Sequence, residues 1–470
     1  MNLQVPVLVE KVLNYLQEHN FEIYIVGGSV RDVLLDKQVK DWDFTTNAKP
    51  EQLQELFPES FYDNGFGTVG VTVEELIAQF SLQNYEFAKE GLELGDVFEI
   101  TTYRTEGTYS DFRRPDEVAW GETIEDDLKR RDFTINALAL SKKNGEFELI
   151  DLFGGQEDLK QKQIKAVGDP KLRFSEDALR MLRAVRLAAQ LGFLIEANTL
   201  SAIKDNAPLL KHISGERIRD ELLKMLVAPY FTDGMKLMLA TGLLHYVLPE
   251  MEETVGVEQA GHHTKDVWHH SLDAAAACPS PDPIIRLATL IHDSGKAKAY
   301  RKQNGKITFY GHEVVSGRLA KKIGERLHLS NRDKERLFIL VRYHMFAYNP
   351  EMTDAAIRRF IRKIGLENIN DMMMLRIGDR VGGGSRQTSW RLRELQQRIG
   401  QVLYTPMQIK DLKVSGHDVM EILGISGGPK VGEILNILFE EVMENSNKND
   451  RDYLLGRIKE FSNFEEDTSS

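Results

Sequence analysis

An α+β fold is predicted for this chain, with a mixed N-terminal segment followed by a longer helical one. Short apolar runs rich in β-branched and aromatic residues, which are typical of strands, are confined to about the first 140 residues. From about residue 157 onward, apolar residues recur with helical spacing, and strand signals are limited to short pieces. We therefore expect a small mixed sheet near the N-terminus and helices over the remainder.

The composition is that of an ordinary globular protein. The 470 residues are 42% hydrophobic and 28% charged, which allows several cores and roughly three or four domains. No apolar run reaches the roughly 18 residues of a membrane span, and the N-terminus has the pattern of an amphipathic helix and not of a signal peptide. The single cysteine, Cys278, excludes an intramolecular disulfide framework. We therefore expect a cytoplasmic protein that does not bind a membrane.

The charge distribution is uneven. A net charge of -12 disfavours bulk electrostatic attraction to nucleic acid. Between Arg376 and Arg398, however, six arginines face only Asp379 and Glu394. This segment is either a solvated face or a surface for a polyanion, and the two interpretations are about equally supported.

The predicted sheet begins with residues 21–26 (FEIYIV), whose apolar run ends at Gly27 and Gly28. The next segment, SVRDVLL, is predicted to form a short helix with Ser29 as its N-cap. Further strands are expected over residues 40–45, 68–73 and 97–103.

Two aspartates, Asp41 and Asp43, stand two positions apart in one of these predicted strands. Because side chains alternate between the faces of a strand, both carboxylates project from the same side. Two like charges held together are unfavourable unless a cation joins them, and Mg²⁺ takes oxygen ligands and also binds phosphates. The pair indicates a Mg²⁺ site, although such pairs also occur by chance on solvated strand edges.

A candidate phosphate site lies at the glycine turn. Gly28 permits close approach of a triphosphate to backbone N–H groups, and Arg31 lies on the first turn of the predicted helix. A packing turn without a ligand is the commoner explanation for a bare Gly-Gly pair. Further along, Arg130 and Arg131 are predicted to begin a helix, where positive charge is unfavourable unless an anion lies nearby.

The segment SEDALRMLRAVRLAAQLGF (175–193) is predicted to be one helix with Ser175 as its N-cap. On one face of it, a carboxylate and three arginines recur every three residues: Asp177, Arg180, Arg183 and Arg186. The alternative is a surface helix with a weak Asp–Arg ion pair. Because few acidic residues in the segment could pair the three arginines, we favour a polyanionic ligand.

The Asp177–Arg180 pair also has the chemistry of a base-reading edge. A carboxylate accepts hydrogen bonds and a guanidinium donates them. Cytosine and adenine both present an amino donor beside a ring-nitrogen acceptor, whereas uracil and guanine present the reverse order. One protein edge could thus accept C and A and reject U and G without a nucleic-acid template, because the wrong base leaves buried polar groups unpaired.

Six motifs, in order over about residues 20–225, resemble those of class II tRNA nucleotidyltransferases: GGSVRDVLL, KDWDFTT, RRDFTINALAL, DLFGGQEDL, EDALRMLRAVR and SGERIRDEL. This is the CCA-adding enzyme family, which includes bacterial poly(A) polymerases. The resemblance implies a polymerase-β-like nucleotidyltransferase head followed by helical neck, body and tail regions. It also implies template-independent addition of CCA to tRNA 3′ ends from CTP and ATP with Mg²⁺. Asp36 departs from the glycine usual in the family, and we expect little consequence.

By position, the resemblance assigns catalysis and Mg²⁺ binding to Asp41 and Asp43. It assigns nucleotide binding to Gly28, Arg31, Arg131, Asp177, Arg180, Arg183 and Arg186. Residues 103–120 resemble a flexible loop that CC-only members of the family lack, which disfavours CC-only addition. The loop does not separate full CCA addition from A-only addition.

A second set of candidate ligands lies in the helical part of the chain. Its order, H…HD…H…H…D over roughly residues 260–385, resembles the HD phosphohydrolase superfamily, and every ligand position is filled: His270, His292, Asp293, His312, His344 and Asp379. His and Asp suit several divalent transition metals. The resemblance implies such a metal at this HD site, with phosphatase or 2′,3′-cyclic phosphodiesterase activity. The sequence HDSGK departs from the usual HDIGK beside the ligands and not at one.

The predicted domains are a head (1–145), a neck and body (146–255), an HD domain (256–390) and a tail (391–470). Residues 412–442 resemble the C-terminal helical region of some family members, and we expect tRNA contacts there and along Arg376–Arg398, through phosphates and shape. Two alternatives remain open. One is an A-only enzyme or poly(A) polymerase of the same fold, and the other is an HD phosphohydrolase with a passive RNA-binding head. The oligomeric state is not predicted.

Overall fold

The computed structural model describes residues 3–466 except residues 40, 64–66, 83–84, 106–118, 260–264, 305, 347, 388 and 403–407. The chain divides into two compact units, Met1–Glu252 and Glu253–Ser470. The four-part domain division given above stays a prediction.

The first unit contains a seven-stranded mixed sheet. The strands of this unit are β1 (Ile23–Val26), β2 (Trp42–Thr46), β3 (Phe61–Asp63), β4 (Thr68–Thr72), β5 (Val97–Thr102), β6 (Arg104–Thr105), β7 (Ala119–Trp120), β8 (Leu138–Lys143), β9 (Glu146–Asp151), β10 (Gln163–Ile164) and β11 (Leu194–Ile195). The sheet order is β3-β4-β5-β2-β1-β8-β9, with β2 and β5 parallel and the other neighbours antiparallel. All four residues of β1 are buried, as expected for a central strand.

The first unit also contains thirteen α-helices, and after β9 these helices make up most of its described residues. They are α1 (Val7–Glu18), α2 (Gly28–Leu34), α3 (Pro50–Leu56), α4 (Val73–Gln79), α5 (Ile124–Lys129), α6 (Gly155–Lys160), α7 (Pro170–Glu176), α8 (Leu179–Leu191), α9 (Ala197–Asn206), α10 (Gly215–Leu226), α11 (Phe231–Thr241), α12 (Leu244–Val247) and α13 (Pro249–Glu252). The predicted α+β class, a small mixed sheet followed by helices, is confirmed.

The second unit is helical apart from one short hairpin, β12 (Arg301–Gln303) and β13 (Lys306–Thr308), among its described residues. Its helices are α14 (Val267–Ala277), α15 (Pro283–Ile291), α16 (Lys296–Ala299), α17 (His312–Arg326), α18 (Asn331–Tyr343), α19 (Asp354–Ile364), α20 (Ile369–Gly382), α21 (Trp390–Val402), α22 (Gly416–Leu423), α23 (Pro429–Glu444) and α24 (Arg451–Glu466). Among the described residues, every helix falls short of the length and apolar character required to traverse a bilayer.

Close packing of α14 on α20 depends on two glycines. A Cβ at Gly378 would lie 2.5 Å from the carbonyl oxygen of Ala274, and one at Gly382 would lie 2.6 Å from the Ala274 nitrogen. Any larger residue would push the helices apart. Because α14 carries His270 and α20 carries Asp379, this approach brings two of the predicted metal ligands together.

Two local predictions in the head are wrong. Ser29 lies inside α2, which is preceded by Gly27, and its hydroxyl donates to the Asp41 carbonyl instead of capping the helix. Arg130 and Arg131 follow the last residue of α5 and do not begin a helix. Cations are favourable at a helix C-terminus, so the helix dipole calls for no anion there.

The single helix predicted for residues 175–193 is two helices, α7 and α8. Asp177 ends α7 with extended dihedral angles (φ -139°, ψ 103°), and its carboxylate accepts a hydrogen bond from the Leu179 N–H at 3.0 Å. Ser175 lies within α7 and is not an N-cap. An aspartate competes for backbone N–H groups in this way, which interrupts a helix and begins the next one.

Candidate functional site

A cavity of about 330 Å³ in the first unit gathers most of the predicted nucleotide-binding residues. Gly28, Asp43, Arg131, Asp177, Arg180 and Arg183 all line it. Three further predicted residues, Arg31, Asp41 and Arg186, are described by the structure but lie outside this lining. Segments far apart in sequence therefore converge on one cavity that contains carboxylates, guanidinium groups and a glycine turn.

The two aspartates of the predicted Mg²⁺ site are held by the strand and by one serine. Asp43 lies within β2, and Asp41 immediately precedes the strand. The Ser29 hydroxyl accepts a hydrogen bond from the Asp43 N–H at 3.1 Å and donates to the Asp41 carbonyl at 2.9 Å. The serine thus fixes the spacing of the two residues.

A third carboxylate lies beside this pair. Glu99 of β5 is the register partner of Asp43 in the parallel β2–β5 ladder. Burial raises the pKa of Asp43 to about 6, with Glu99 and Asp41 adding to the increase and Arg131 opposing it. Such a concentration of negative charge favours a bound cation. Glu99 was missed from the sequence because strand register is not visible there, although its segment was predicted to be a strand.

The glycine turn makes room for a guanidinium group. Gly27 has a positive φ of 74°, and a Cβ there would lie 2.8 Å from Nη1 of Arg131. Arg131 is oriented by a 3.0 Å ion pair with Asp127. Arg31 donates a 2.8 Å hydrogen bond from Nη1 to the Asn136 side chain. Two cations are therefore fixed around the turn beside Asp43, an arrangement that suits a polyphosphate.

The Asp177 and Arg180 side chains are each oriented by contacts with other residues. Arg217 donates to both carboxylate oxygens of Asp177, at 3.2 and 2.7 Å. Arg180 is anchored through Nη1 on Glu176 at 2.6 Å and through Nη2 on the Arg130 carbonyl at 3.3 Å. Both side chains are thus held in place at the cavity wall, which a base-reading edge requires.

Contrary to the prediction, the three arginines of α8 have acidic partners. Arg183 pairs with Asp132 at 2.7 Å, and Arg186 pairs with Glu221 at 2.5 Å. Although burial raises the pKa of Asp132, the Arg183 guanidinium outweighs it and lowers the pKa to about 2. These partners come from distant segments, so the arginine spacing by itself indicates no polyanion. Asp132, Arg217 and Glu221 were not singled out, although they lie in the RRDFTINALAL and SGERIRDEL motifs.

In the second unit, the six predicted HD ligands form one cluster. The Nε2 atom of His270 lies 3.4 Å from Asp293 and 3.3 Å from Asp379, and that of His292 lies 3.3 and 3.4 Å from the same carboxylates. On the other side of Asp293, the Nε2 atoms of His312 and His344 approach within 3.2 and 3.6 Å. Two three-residue groups, both including Asp293, therefore have the compactness needed to hold a metal ion.

Three histidines of the cluster are oriented by backbone carbonyls. Nδ1 of His292 contacts the Thr289 carbonyl at 2.6 Å, that of His312 the Phe309 carbonyl at 2.9 Å, and that of His344 the Val341 carbonyl at 2.7 Å. A proton on Nδ1 leaves the Nε2 lone pair directed into the cluster. This is the usual way in which a second contact fixes a metal-binding imidazole. Among the described residues, these buried Nε2 atoms form no well-aligned hydrogen bond.

The electrostatics of the cluster call for a cation. Burial lowers the pKa of His292, but Asp293 and Asp379 outweigh it and raise the pKa to about 10. Burial alone would raise the pKa of Asp293, yet His292 and Lys296 hold it well below its usual range. The positive charge of a protonated His292 thus offsets the negative charge of the two carboxylates. A bound metal ion could supply this positive charge in place of the proton. Imidazole and carboxylate ligands together fit a divalent transition metal.

Of the remaining predictions, most of the loop at 103–120 lies outside the described residues. Within Arg376–Arg398, Arg376 donates to the His344 carbonyl at 2.8 Å and Arg398 to the Met352 carbonyl at 2.7 Å. These two arginines therefore stabilise the second unit itself. The tRNA contacts expected along this segment and residues 412–442 stay a prediction.

Comparison with known proteins identifies the family. Residues 23–165 match the model described as the poly A polymerase head domain, and residues 261–380 match the HD domain model. Residues 192–254 match "Probable RNA and SrmB- binding site of polymerase A", and residues 321–458 match tRNA nucleotidyltransferase domain 2. The CCA-adding enzyme of Bacillus cytotoxicus is 31% identical over 96% of this chain and 97% of its own length. This chain belongs to the CCA-adding enzyme family.

Two other members of the CCA-adding enzyme family match this chain, one in sequence over about half of it and one in structure over nearly all of it. The enzyme of Lactobacillus helveticus is 49% identical over 49% of this chain, and the match spans 53%, about half, of that protein. The crystal structure of the Bacillus stearothermophilus CCA-adding enzyme in complex with CTP superposes with a TM-score of 0.71 at 27% identity. That match covers 99% of this chain and all of the other. The predicted family is confirmed, whereas the roles of individual residues stay predictions.

Proposed function

We propose that this protein adds CCA to tRNA 3′ ends, using CTP and ATP and requiring Mg²⁺. The observation that carries the proposal is the cavity itself, in which Asp43, the glycine turn with Arg131, and the oriented Asp177 and Arg180 side chains face one another. The structural likeness to an enzyme that was crystallised with CTP supports it. The site thus combines a cation position, a phosphate position and a base-reading edge.

The reaction is attack of the tRNA 3′-hydroxyl on the α-phosphate of the nucleotide, with release of pyrophosphate. Asp41 and Asp43 would hold Mg²⁺, with Glu99 as a third carboxylate nearby. When bound, Mg²⁺ would neutralise charge developing on the phosphate and activate the hydroxyl. Arg31 and Arg131 would bind the triphosphate, while backbone N–H groups at Gly28 approach it closely. The chain thereby positions the reacting groups and offsets their negative charge.

An extension assay tests this function and separates it from its relatives. Three tRNA transcripts, lacking CCA, ending in CC, or complete, are incubated with CTP and ATP. We expect CCA addition to the first and A addition to the second. Extension of only the second transcript would instead identify an A-only enzyme, and long tails on the complete transcript would identify a poly(A) polymerase. No extension of any transcript would favour the passive-head alternative.

Changing the base-reading edge should relax nucleotide selection. In Asp177→Asn, the side chain can donate a hydrogen bond to the uracil O4, which the carboxylate cannot do. We expect the ratio of kcat/KM for CTP to that for UTP to fall by about tenfold or more, since one mismatched hydrogen bond contributes roughly 1–2 kcal/mol. Single-nucleotide incorporation measures the ratio. Unchanged selectivity in a folded Asp177→Asn protein would contradict the edge-reading account.

Metal binding in the head should weaken at acidic pH. Because the pKa of Asp43 is raised to about 6, a metal must displace a proton below that pH but not above it. We expect Mn²⁺ affinity, followed by paramagnetic resonance without nucleotide, to fall about tenfold per pH unit below about 6. An Asp293→Asn background removes the contribution of the HD cluster, and adding Asp43→Asn should abolish the pH-dependent signal. Equal affinity at pH 7 and pH 5 would contradict this linkage.

We also propose that the HD cluster is a metal-dependent phosphohydrolase that acts on phosphoesters, including 2′,3′-cyclic phosphates. The supporting observation is the convergence of four histidines and two aspartates, of which all but His292 line a cavity of about 520 Å³. The ligands fit a divalent transition metal, which when bound would activate a water molecule. Lys296, whose Nζ lies 2.6 Å from Asp293, could also bind a substrate phosphate.

The proposed location of the protein is the cytoplasm, where tRNA, CTP and ATP are available for CCA addition.

A further inference from the structure

A second cavity, of about 340 Å³, adjoins the cavity above the HD cluster. Glu313 of α17 and Met345, just after α18, line both cavities, so the two cavities are direct neighbours. Met345 is 53% exposed, which leaves the boundary between them open to solvent. A separate set of side chains therefore lies beside the cavity of the candidate metal ligands. The proposed phosphohydrolase function does not use that set.

The second cavity is lined by aromatic and basic side chains from α18, α19 and the residues after α18. Nζ of Lys363 lies 4.8 Å from the centroid of the Tyr343 ring, and the guanidinium carbon of Arg342 lies 5.2 Å from it. Beside them, Phe346 and Phe360 stack with ring centroids 3.7 Å apart. The combination of aromatic rings with cations over or near them matches the surfaces that bind single-stranded nucleic acid.

The charge of this cavity favours an anionic occupant. Arg342, Arg359 and Lys363 supply three cations, against one lining carboxylate, Glu313, which lies 3.7 Å from Arg342. Arg359 also pairs with Glu444 at 3.1 Å, but both side chains are at least half exposed, and such pairs are weak. Lys363 is exposed as well. These cations can therefore contact a ligand without first leaving a buried environment.

Resting on the proposed phosphohydrolase function, we propose that the HD site prefers the 3′ end of a single-stranded RNA to free mononucleotides. The terminal phosphoester lies over the HD cluster, and the preceding nucleotide occupies the cavity of Tyr343, Arg359 and Lys363. Its base contacts the aromatic side chains and its phosphate contacts the two cations. The aromatic Tyr310, which is 87% exposed and lines the metal-side cavity, offers a further surface for the terminal base.

The test compares three substrates with the full-length, metal-loaded protein. They are bis(p-nitrophenyl) phosphate, adenosine 2′,3′-cyclic phosphate, and a dinucleotide that ends in a 2′,3′-cyclic phosphate. In the cyclic esters, the water oxygen bonds to phosphorus, one ring P–O bond breaks, and a proton passes to the released ribose oxygen. We expect the dinucleotide to have a kcat/KM about tenfold or more above that of the mononucleotide, since a stacked base and an added phosphate contact strengthen binding.

Variants then locate the effect. In Arg359→Gln combined with Lys363→Gln, kcat/KM for the dinucleotide should fall about tenfold, while the mononucleotide and bis(p-nitrophenyl) phosphate are hydrolysed at the normal rate. The matched control is Lys322→Gln, an exposed lysine of α17 that, in the described part of the chain, lines neither cavity. All three positions are exposed, so folding should be unaffected.

The possible outcomes distinguish the RNA-end preference from the phosphohydrolase function on which it rests. Hydrolysis of bis(p-nitrophenyl) phosphate with equal kcat/KM for the mononucleotide and dinucleotide would overturn the RNA-end assignment and leave the phosphohydrolase function standing. A dinucleotide preference that survives the double variant unchanged would also overturn it, because the second nucleotide would then bind elsewhere. Hydrolysis of none of the three substrates would overturn both proposals.

Discussion

Replacement of Asp43 by asparagine is expected to lower the rate of nucleotide addition by at least about a thousandfold. The change is nearly isosteric but removes a negative charge from the group formed with Asp41 and Glu99. A metal contributes several kcal/mol to phosphoryl transfer, and each 1.4 kcal/mol is a tenfold change in rate. Asp41→Asn should have a similar effect. Single-turnover extension of a tRNA transcript that lacks CCA measures the loss.

The matched control is Glu146→Gln on β9, which removes an exposed carboxylate from the edge strand of the same sheet. This variant should extend tRNA at the normal rate. Thermal unfolding checks that Asp43→Asn remains folded, and burial predicts that it will be no less stable, since the neutral amide is easier to bury than the carboxylate. A folded Asp43→Asn protein with normal turnover would contradict the assignment of the metal site.

The second large effect is expected at the HD cluster. Asp293 belongs to both candidate metal-binding groups, so Asp293→Asn should abolish metal retention and lower hydrolysis of cyclic phosphate by at least about a hundredfold. His292→Ala should act in the same direction by removing one ligand. Elemental analysis of the dialysed protein and hydrolysis assays measure the two losses. A chelator should reproduce the loss of hydrolysis in the unmodified protein.

His269→Ala provides the control for this prediction. His269 is adjacent in sequence to His270, but its side chain is about half exposed and contacts Asp266 instead of the cluster. It should retain metal and activity. The tRNA extension rate of Asp293→Asn, measured on the same preparation, shows whether the first unit is intact. Full metal occupancy in Asp293→Asn would show that the ion is held by other groups.

Local patterns were sufficient to predict much of this molecule. The apolar runs at β1, β4 and β5 and the Asp41–Asp43 spacing depend on neighbouring residues, so the sequence displays them directly. The six HD residues were predicted from their order, and the structure brings all six together. Each of the six lies next to α15, or in or next to a helix that packs against it. His292 and Asp293 directly follow the buried apolar helix α15, so the sequence shows their position directly.

Most of what the sequence did not reveal depends on partners that are distant along the chain, and one feature depends on a local competition. The arginines of α8 seemed to lack acidic partners because Asp132 and Glu221 lie about 50 and 35 residues away. Glu99 becomes the neighbour of Asp43 only through the register of two parallel strands. The break at Asp177 arises where a carboxylate binds the N–H of Leu179, a local competition that helical periodicity does not show.

A crystal structure of the protein with CTP and Mn²⁺ examines the central claim most directly. We expect anomalous density for manganese beside Asp41 and Asp43, with the triphosphate along Gly28 and Arg131. The cytosine edge should face Asp177 and Arg180. CTP bound outside this cavity, or a cytosine edge directed away from both side chains, would contradict it.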